Sequence, residues 1–569
     1  MERFWLKTYP PGVPADVDVD AFRSIGEMFD RSVEKYASKA AFIHMGTRIS
    51  YAELDRLSRA FGAYLHEELR LETGARIALM MPNILQYPVA LLGALRGGYT
   101  VVNCSILYTG RELEWQLADS GAEAIVVLEN FASLVQQVLP KTSVKHVITT
   151  QLGDLLGWAK GSAVNFFVKR IKRLIPAWRI ARAIPFQSVL RKGASQQGRS
   201  VCIAPSDVAL IQYTGGTTGT PKGAALTHRN IIANLQQHHA QCGPRLQEGR
   251  DIVITAIPLF HIYALTVSCL LGLKIGATNV LIADPRDVGG LVKELRRRPF
   301  TIFPGVNALF KALVNRPDFA KVDFSSLRLA AVGGAPLEEE VARKWNAITG
   351  STIIEAYGLT ETSPVVTCNP MDTAKFNGSC GIPIPSTEVA IRDDQGADLP
   401  IGQAGELCVR GPQVMKGYWN RPSETAAAMT ADGFLRTGDI ATIDGCGFVR
   451  IVDRKKDMIN VAGLKVYPAE VEAVAVMHPD VVEAGVVGVR DRRSGEAVKI
   501  VIVARNPSLT AADVKAHCRK HLAAFKVPRH VEFRQQLPKT LLGKILRRAL
   551  REKAPPQTAE VEADRGAES

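Results

Sequence analysis

Short apolar runs separated by stretches of helical periodicity recur from Arg76 to Leu337. RIALMM (76–81), AIVVL (124–128) and HVITT (146–150) carry apolar residues at successive positions, as a strand covered on both faces requires. YAELDRLSRAFGAYLHEEL (51–69) places Leu54, Leu57, Phe61 and Leu65 at three- and four-residue steps, which predicts an amphipathic helix. The alternation continues through DIVITAIPLF (251–260), TNVLI (278–282), FTIFP (300–304) and LRLAAVGGAPL (327–337). It predicts parallel sheet covered by helices, an α/β architecture.

A chain of 569 residues with 46% apolar content has material for two or more domains. After about Ser379 glycine and proline become frequent. Short β runs such as GELCVRG (405–411) and GFVRIVDRKKDMINVAG (447–463) predict a β-rich subdomain. From near Asp457 a third segment combines helix-like YPAEVEAVAVMHP (467–479) and ADVKAHCRKHL (512–522) with strand-like VEAGVVGV (482–489) and VKIVIVA (498–504). That predicts a small α+β domain over 457–552 behind a large region over 1–453. The tail, 553–569, is rich in Pro, Glu and Ala and is expected to be disordered.

The nine cysteines are scattered singly with no CxxC pair, so neither a thiolate zinc site nor a disulfide framework is expected, and a reducing compartment fits. The first residues, MERFWLKTYPPGVPADVD, lack the apolar stretch of a signal peptide. Ile262–Ile282 is the longest apolar candidate. Lys274 and glycines interrupt it, so it is expected in the core and not across a membrane. A cytoplasmic location follows.

QYTGGTTGTPKG (212–223) stands apart. Gly215, Gly216 and Gly219 allow a tight turn and close approach of backbone to a ligand. Thr214, Thr217, Thr218 and Thr220 add hydroxyl donors, and Lys222 adds a point charge suited to phosphate. DVALIQY before it is strand-like and THRNIIANLQQHH after it is helix-like, so the segment is expected as strand, phosphate loop, helix. It is not a Walker A loop, because Gly223 and not Ser or Thr follows the lysine, and the Rossmann spacing fails too. The bland alternative is a flexible surface turn, but such turns rarely combine paired threonines, proline and lysine behind a buried strand.

YTGGTTGTPKG resembles the phosphate loop of the adenylate-forming enzymes, the superfamily of acyl-CoA synthetases, luciferases and peptide-synthetase adenylation domains. PLFHIY (258–263), GGAPL (333–337), YGLTETSP (357–364), TGD (437–439), DRKKDMINVAGLKVYPAEVE (453–472) and PKTLLGKILRR (538–548) follow in that family's order, and the resemblance spans residues 25–552. With GSAVNFFVKRIKRLIPAW before the loop, the chain is most similar to bacterial long-chain fatty-acid–CoA ligases. The resemblance implies activation of a carboxylate by ATP as an acyl adenylate, then transfer to coenzyme A, with Mg²⁺ assisting.

It also implies residue roles. Glu361 would hold Mg²⁺, and Thr360 and Thr217 would contact the reacting phosphate. Tyr357 would stack on adenine, with Gly358, Gly333, Gly334 and Ala335 beside the base and the acyl group. Asp439 and Arg454 would take the ribose hydroxyls. Lys544, from the small domain, would bridge the acid and the α-phosphate. Residues 454–456 would form a hinge centred on Lys456, and Gly463 would line the coenzyme A tunnel after rotation. His261 would line the acyl pocket, though its sequence context suits a satisfied core histidine equally. For Tyr357 the ordinary alternative is a core ring, and for Asp439 a turn-forming aspartate.

Net charge is +14, which invites a nucleic-acid reading, but the charge is local. Residues 155–199 hold ten Lys or Arg and no acid, and 515–553 hold twelve with two acids. Neither a zinc-finger pattern nor an RNA-binding aromatic pair accompanies them, so no nucleic-acid partner is expected. Within SAVNFFVKRIKRLIPAW (162–178), Val164, Phe167, Val168, Ile171, Leu174, Ile175 and Trp178 recur at helical steps, with Lys169, Arg170, Lys172 and Arg173 on other faces. Pro176 should kink or end that helix. It fits either reversible contact with the inner face of the cell membrane or packing on its own protein. Substrates other than long-chain acids (medium-chain, aromatic or dicarboxylic) and a carrier-protein acceptor stay open, as does a basic nucleotide-binding regulator. The chain is expected as monomer or homodimer.

Overall fold

The computed structural model describes residues 3–196, 198–199, 201–214, 221–462, 464–491, 494–540, 543 and 545–551. It divides into two compact units, Met1–Ile451 and Val452–Ser569.

Among the described residues, the first unit contains three sheets. In the largest, Ala40–His44, Thr278–Leu281, Ile252–Thr255, Ile302–Gly305, Leu329–Val332 and Ile353–Gly358 lie side by side in that spatial order, all parallel. Antiparallel strands close both ends. In the second, Ile184–Pro185, His146–Thr150, Ala124–Leu128, Arg76–Met80, Thr100–Asn103 and Val208–Thr214 form the parallel series. These are the apolar runs of the sequence, and most of their residues are fully buried because helices cover both faces. The helix expected at 51–69 spans Tyr51–Glu67. Ser50 accepts from the Glu53 amide at 3.1 Å as its N-cap, and Leu54, Leu57, Phe61 and Leu65 are buried.

The segment after Thr214 differs from expectation. Lys222–Thr227 is a strand, antiparallel to Val208–Thr214, and the helix His228–Cys242 starts only after it. The phosphate-loop segment therefore joins two strands of a hairpin, and no helix N-terminus follows it directly. The small apolar residues of KGAALT fit a fully covered strand, five of whose six positions are buried. Gly417–Tyr418 pairs with the outer side of this strand, Tyr418 opposite Ala224.

The expected helix at 162–178 is shorter. Trp158–Phe166 continues into one wider helical turn, Phe167–Ile171, and Arg173 takes a left-handed φ of 50°. Pro176 bars the residue before it from helical geometry, so the chain leaves the helix ahead of the proline.

The β-rich subdomain is a sheet ordered Glu388–Arg392, Gly405–Arg410, Leu435–Ile443 and Val449–Arg454. In the second unit, Val481–Asp491 and Gly495–Ala504 form a long antiparallel pair, joined by the short strands Ile459–Val461, Leu464–Val466 and His530–Phe533. Helices Pro468–Val476 and Ala511–His521 cover it through Val471, Ala475, Val514 and Cys518. Among the described residues, no helix is long and apolar enough to cross a membrane.

Candidate active site

Thr214 and Lys222 are paired residues at the loop end of the hairpin, with the Thr214 hydroxyl 3.5 Å from the Lys222 carbonyl. Gly215, Gly216, Thr217, Thr218 and Gly219 lie outside the described residues. The hairpin base is braced from behind: the Trp115 indole donates to the Pro221 carbonyl at 3.3 Å, while Asp119 accepts from Tyr213 at 2.7 Å and from Arg421 at 2.9 Å.

Glu361 reaches the same place from the turn Thr360–Thr362. That turn is fixed internally. The Pro364 carbonyl accepts from the Leu359 amide at 3.0 Å and from the Thr362 hydroxyl at 2.6 Å, and the Leu359 amide also reaches Thr362 Oγ1 at 3.1 Å. Thr362 and Ser363 are buried, while Thr360 and Glu361 are only half-buried. Gly358 makes this fold-back possible: a Cβ there would lie 1.9 Å from the Pro364 oxygen.

Tyr418 connects the two motifs. Its hydroxyl donates to Glu361 Oε1 at 2.9 Å, and its ring centroid lies 5.0 Å from Lys222 Nζ. Lys222 also forms an ion pair with Glu424, whose carboxyl it holds below the usual range. Burial, reinforced by the Glu361 charge, pushes the Tyr418 phenol far above its ordinary value, so it stays a donor at any working pH.

A second group lies on neighbouring strands. The Tyr357 hydroxyl donates to Asp439 Oδ2 at 2.5 Å. Asp439 is buried within the strand Leu435–Ile443, just after Gly438, whose φ is +70° and whose amide points to Glu406 at 3.2 Å. The pairing register shifts there, so Asp439 sits in a bulge and not in a turn between elements. Gly333, Gly334 and Ala335 follow the strand Leu329–Val332, and a Cβ on Gly333 would lie 3.3 Å from the Tyr263 ring. Glu355 lies under this loop and accepts from the Leu337 amide at 3.1 Å; burial pushes its carboxyl up to about 7.

His261 is partly buried, and burial lowers its pKa to about 4. Its Nδ1 accepts from the Tyr263 amide at 3.2 Å, which assigns the proton to Nε2 in the neutral ring. Beyond Tyr263, whose hydroxyl reaches the Ala331 carbonyl at 3.4 Å, lies a narrow apolar cavity lined by Val267, Leu271, Ile302, Pro304, Leu329 and Ala331.

Arg454 and Lys456 belong to the second unit. Arg454 ends a strand, its amide bonded to Asp453 Oδ1 at 2.7 Å, and Lys456 lies in the turn Lys455–Asp457. Gly463 and Lys544 lie outside the described residues. Around Lys544, the Leu546 amide donates to Pro538 at 2.8 Å and the Gly543 amide to Thr540 at 2.9 Å. Arg547 binds Asp453 at 2.8 Å, Asp457 at 3.3 Å and Glu472 at 2.9 Å, tying the segment of Lys456 to the segment that carries Lys544.

Tyr418, Glu355 and Arg547 are the residues that sequence reasoning missed. Tyr418 lies in KGYWN, which has no strand periodicity, and Arg547 reads as one more charge in a basic stretch. Glu355 carried a faint signal: a carboxylate in the otherwise apolar run TIIEAYG.

Taken together, a threonine, a lysine and a carboxylate converge at a hairpin end, and a tyrosine joins a buried aspartate nearby. Comparison with known proteins gives this arrangement a family. The AMP-binding enzyme model matches residues 29–419, and the AMP-binding enzyme C-terminal domain model matches 470–544. The long-chain-fatty-acid–CoA ligase of Yersinia pestis is 54% identical over 552 residues, covering 97% of this chain and 98% of that protein. The protein of the same description from Bacillus subtilis (strain 168) is 35% identical, covering 96% and 97%. The crystal structure of ATP-bound MatB from Rhodopseudomonas palustris superposes with a TM-score of 0.78 at 28% identity, covering 92% of this chain and 98% of that one. With both domain models matched in order and two relatives above one-third identity over nearly the whole chain, the chain belongs to the AMP-binding enzyme family.

Proposed function

We propose that this protein is an ATP-dependent ligase that activates a long-chain fatty acid as its acyl adenylate and transfers the acyl group to coenzyme A. The observation that carries the chemistry is Tyr418, which holds Glu361 and Lys222 together beside Thr214. The substrate class comes from the activity of the Yersinia pestis relative.

In the first half-reaction a carboxylate oxygen attacks the α-phosphorus, and the bond to pyrophosphate breaks. The acid is already ionised at neutral pH, so no general base is required. The neutral Nε2–H of His261 suits a hydrogen-bond donor at the pocket wall. The main obstacle is repulsion between an anion and a polyanion. Lys222 offsets it once its half-exposed, weakly held Glu424 partner is exchanged for phosphate. Glu361 would supply a carboxylate ligand to Mg²⁺. That suits a metal that keeps waters and substrate phosphates in its shell and neutralises their charge. Tyr357 and Asp439 would hold adenine and ribose, and Arg454 the second ribose contact.

In this reading Lys544 stabilises the α-phosphate during adenylation. Rotation about Lys456 then removes it and brings the segment of Gly463 to the thiol, whose sulfur attacks the acyl carbon and expels AMP. The partners in this reading are fatty acid, ATP and coenzyme A. Pyrophosphate release with graded acids, ATP and Mg²⁺, with and without coenzyme A, tests the whole reading. Long-chain-dependent release, with AMP and acyl-CoA as products, is expected. Release without thioester would move the acceptor to a carrier protein, and no release with any acid would overturn the assignment. Lys544→Ala is expected to slow adenylation far more than thioester formation from supplied acyl adenylate.

A further inference from the structure

Residues 151–183 form the crossover between the last two strands of the second sheet, at its edge. The sequence left two uses for this segment, packing inward or meeting a membrane. Leu156 and Ile180 pack inward near its two ends and Val164, Val168, Ile175 and Trp178 are half-buried, but five bulky apolar side chains are exposed. Trp158 is 89% exposed, Phe166 61%, Ile171 60% and Leu174 57%, with Phe167 exposed as well. Gly161 is the one buried residue of the helix Trp158–Phe166.

The segment is nevertheless held in place. Gly153 and Gly161 cross at a distance that leaves no room for a Cβ on either, and Asn165 Oδ1 accepts from the Gly153 amide at 2.7 Å. On the return path, the Asn130 amide donates to the Leu174 carbonyl at 3.1 Å, and Gln136 accepts from the Arg179 amide at 2.6 Å. At the helix start, Lys160 donates to the Met45 carbonyl. A tethered projection tipped with bulky apolar groups results, with Lys169, Arg170, Lys172 and Arg173 exposed among them and no acid from 155 to 199.

We infer that this projection is an interfacial wedge: Trp158, Phe166, Phe167, Ile171 and Leu174 enter the headgroup layer of an anionic bilayer while the four basic side chains lie along its phosphates. Charge selects the occupant, because a stretch with ten cations and no anion suits an anionic lipid surface. The apolar tips make the attachment more than electrostatic, since a rigid pre-formed wedge loses little conformational freedom on insertion. Attachment at this edge also gives the ligase access to acids dissolved in the bilayer. That consequence rests on the function proposed above, whereas the wedge itself does not.

Co-flotation of the full chain with vesicles of phosphatidylglycerol and phosphatidylethanolamine tests the inference. Phe166→Ser/Phe167→Ser/Ile171→Ser alters only exposed side chains and is expected to lower partitioning by about tenfold or more, even in low salt. Lys169→Gln/Arg170→Gln/Lys172→Gln/Arg173→Gln is expected to abolish the preference for anionic vesicles and the salt sensitivity. Trp158 fluorescence, read against a Trp158→Phe control, should shift to the blue with vesicles in the wild type only. Unchanged partitioning of the serine variant overturns insertion. So does a wild type that ignores vesicles and instead forms dimers that the serine substitutions dissolve. Turnover of a soluble medium-chain acid without vesicles separates the two proposals: its absence strikes the ligase reading and leaves the wedge standing.

Discussion

Tyr418→Phe removes one oxygen and leaves the ring that faces Lys222. The lost hydroxyl donates to the Glu361 carboxylate at 2.9 Å, a charge-assisted bond. Such a bond contributes roughly 1.5–3 kcal/mol. Glu361 is half-buried, so water compensates in part and the lower end applies, which corresponds to about a tenfold change. Without Tyr418 the carboxylate samples other rotamers and must be reordered when Mg²⁺ and ATP arrive. The assay is pyrophosphate release at saturating acid, titrated with Mg²⁺, beside thioester formation from supplied acyl adenylate. The expected result is a tenfold loss of kcat/KM for ATP and a weaker apparent Mg²⁺ requirement curve, with the thioester step unchanged. Thermal stability should hold, because the strand pairing of Tyr418 with Ala224 uses only backbone. Equal loss in both half-reactions, or a variant indistinguishable from wild type, would refute the idea that Tyr418 positions Glu361 for adenylation.

Three other outcomes follow from the same structure. Arg547→Met should destabilise the second unit by about 3–5 kcal/mol, because three largely buried carboxylates lose their shared cation; unchanged unfolding of residues 453–551 by hydrogen exchange would count against this. His228, His238, His239 and His261 are all lowered from 6.5 to about 4 by burial, so the unfolded chain binds more protons between those pH values. Acidification through that window should destabilise the fold by on the order of 1.4 kcal/mol per pH unit per histidine, and a Tm that stays flat from pH 7 to 5 would show that they titrate normally. Gly358→Ala should cost adenylation heavily, since its Cβ would meet the Pro364 oxygen at 1.9 Å and dislodge the turn that presents Thr360 and Glu361; full pyrophosphate release by a folded variant would disprove that constraint.

The parts of this molecule that were legible in its sequence are those written in consecutive residues. AIVVL is a strand at its expected bounds because a five-residue apolar run has one low-energy use in an α/β fold, burial on both faces. KGAALT escaped notice for the opposite reason: alanine and glycine carry no periodicity, and only pairing with Val208–Thr214 makes a strand of them. Tyr418 was invisible because its partners are a lysine about two hundred positions earlier and a glutamate on another turn, and no local pattern encodes such a meeting. Arg547 was masked by its own composition, since a basic amphipathic end looks alike whether its charges face water or three carboxylates. Tyr357 and Asp439 show a third limit. Each could be assigned to one part of a nucleotide, adenine and ribose, but not to the other residue. Their 2.5 Å hydrogen bond joins the two assignments: the hydroxyl that orients the stacking ring occupies one lone pair of the carboxylate intended for the sugar. In the proposed function, removing that hydroxyl would therefore disturb the base contact and the sugar contact together, an outcome that neither motif predicts alone.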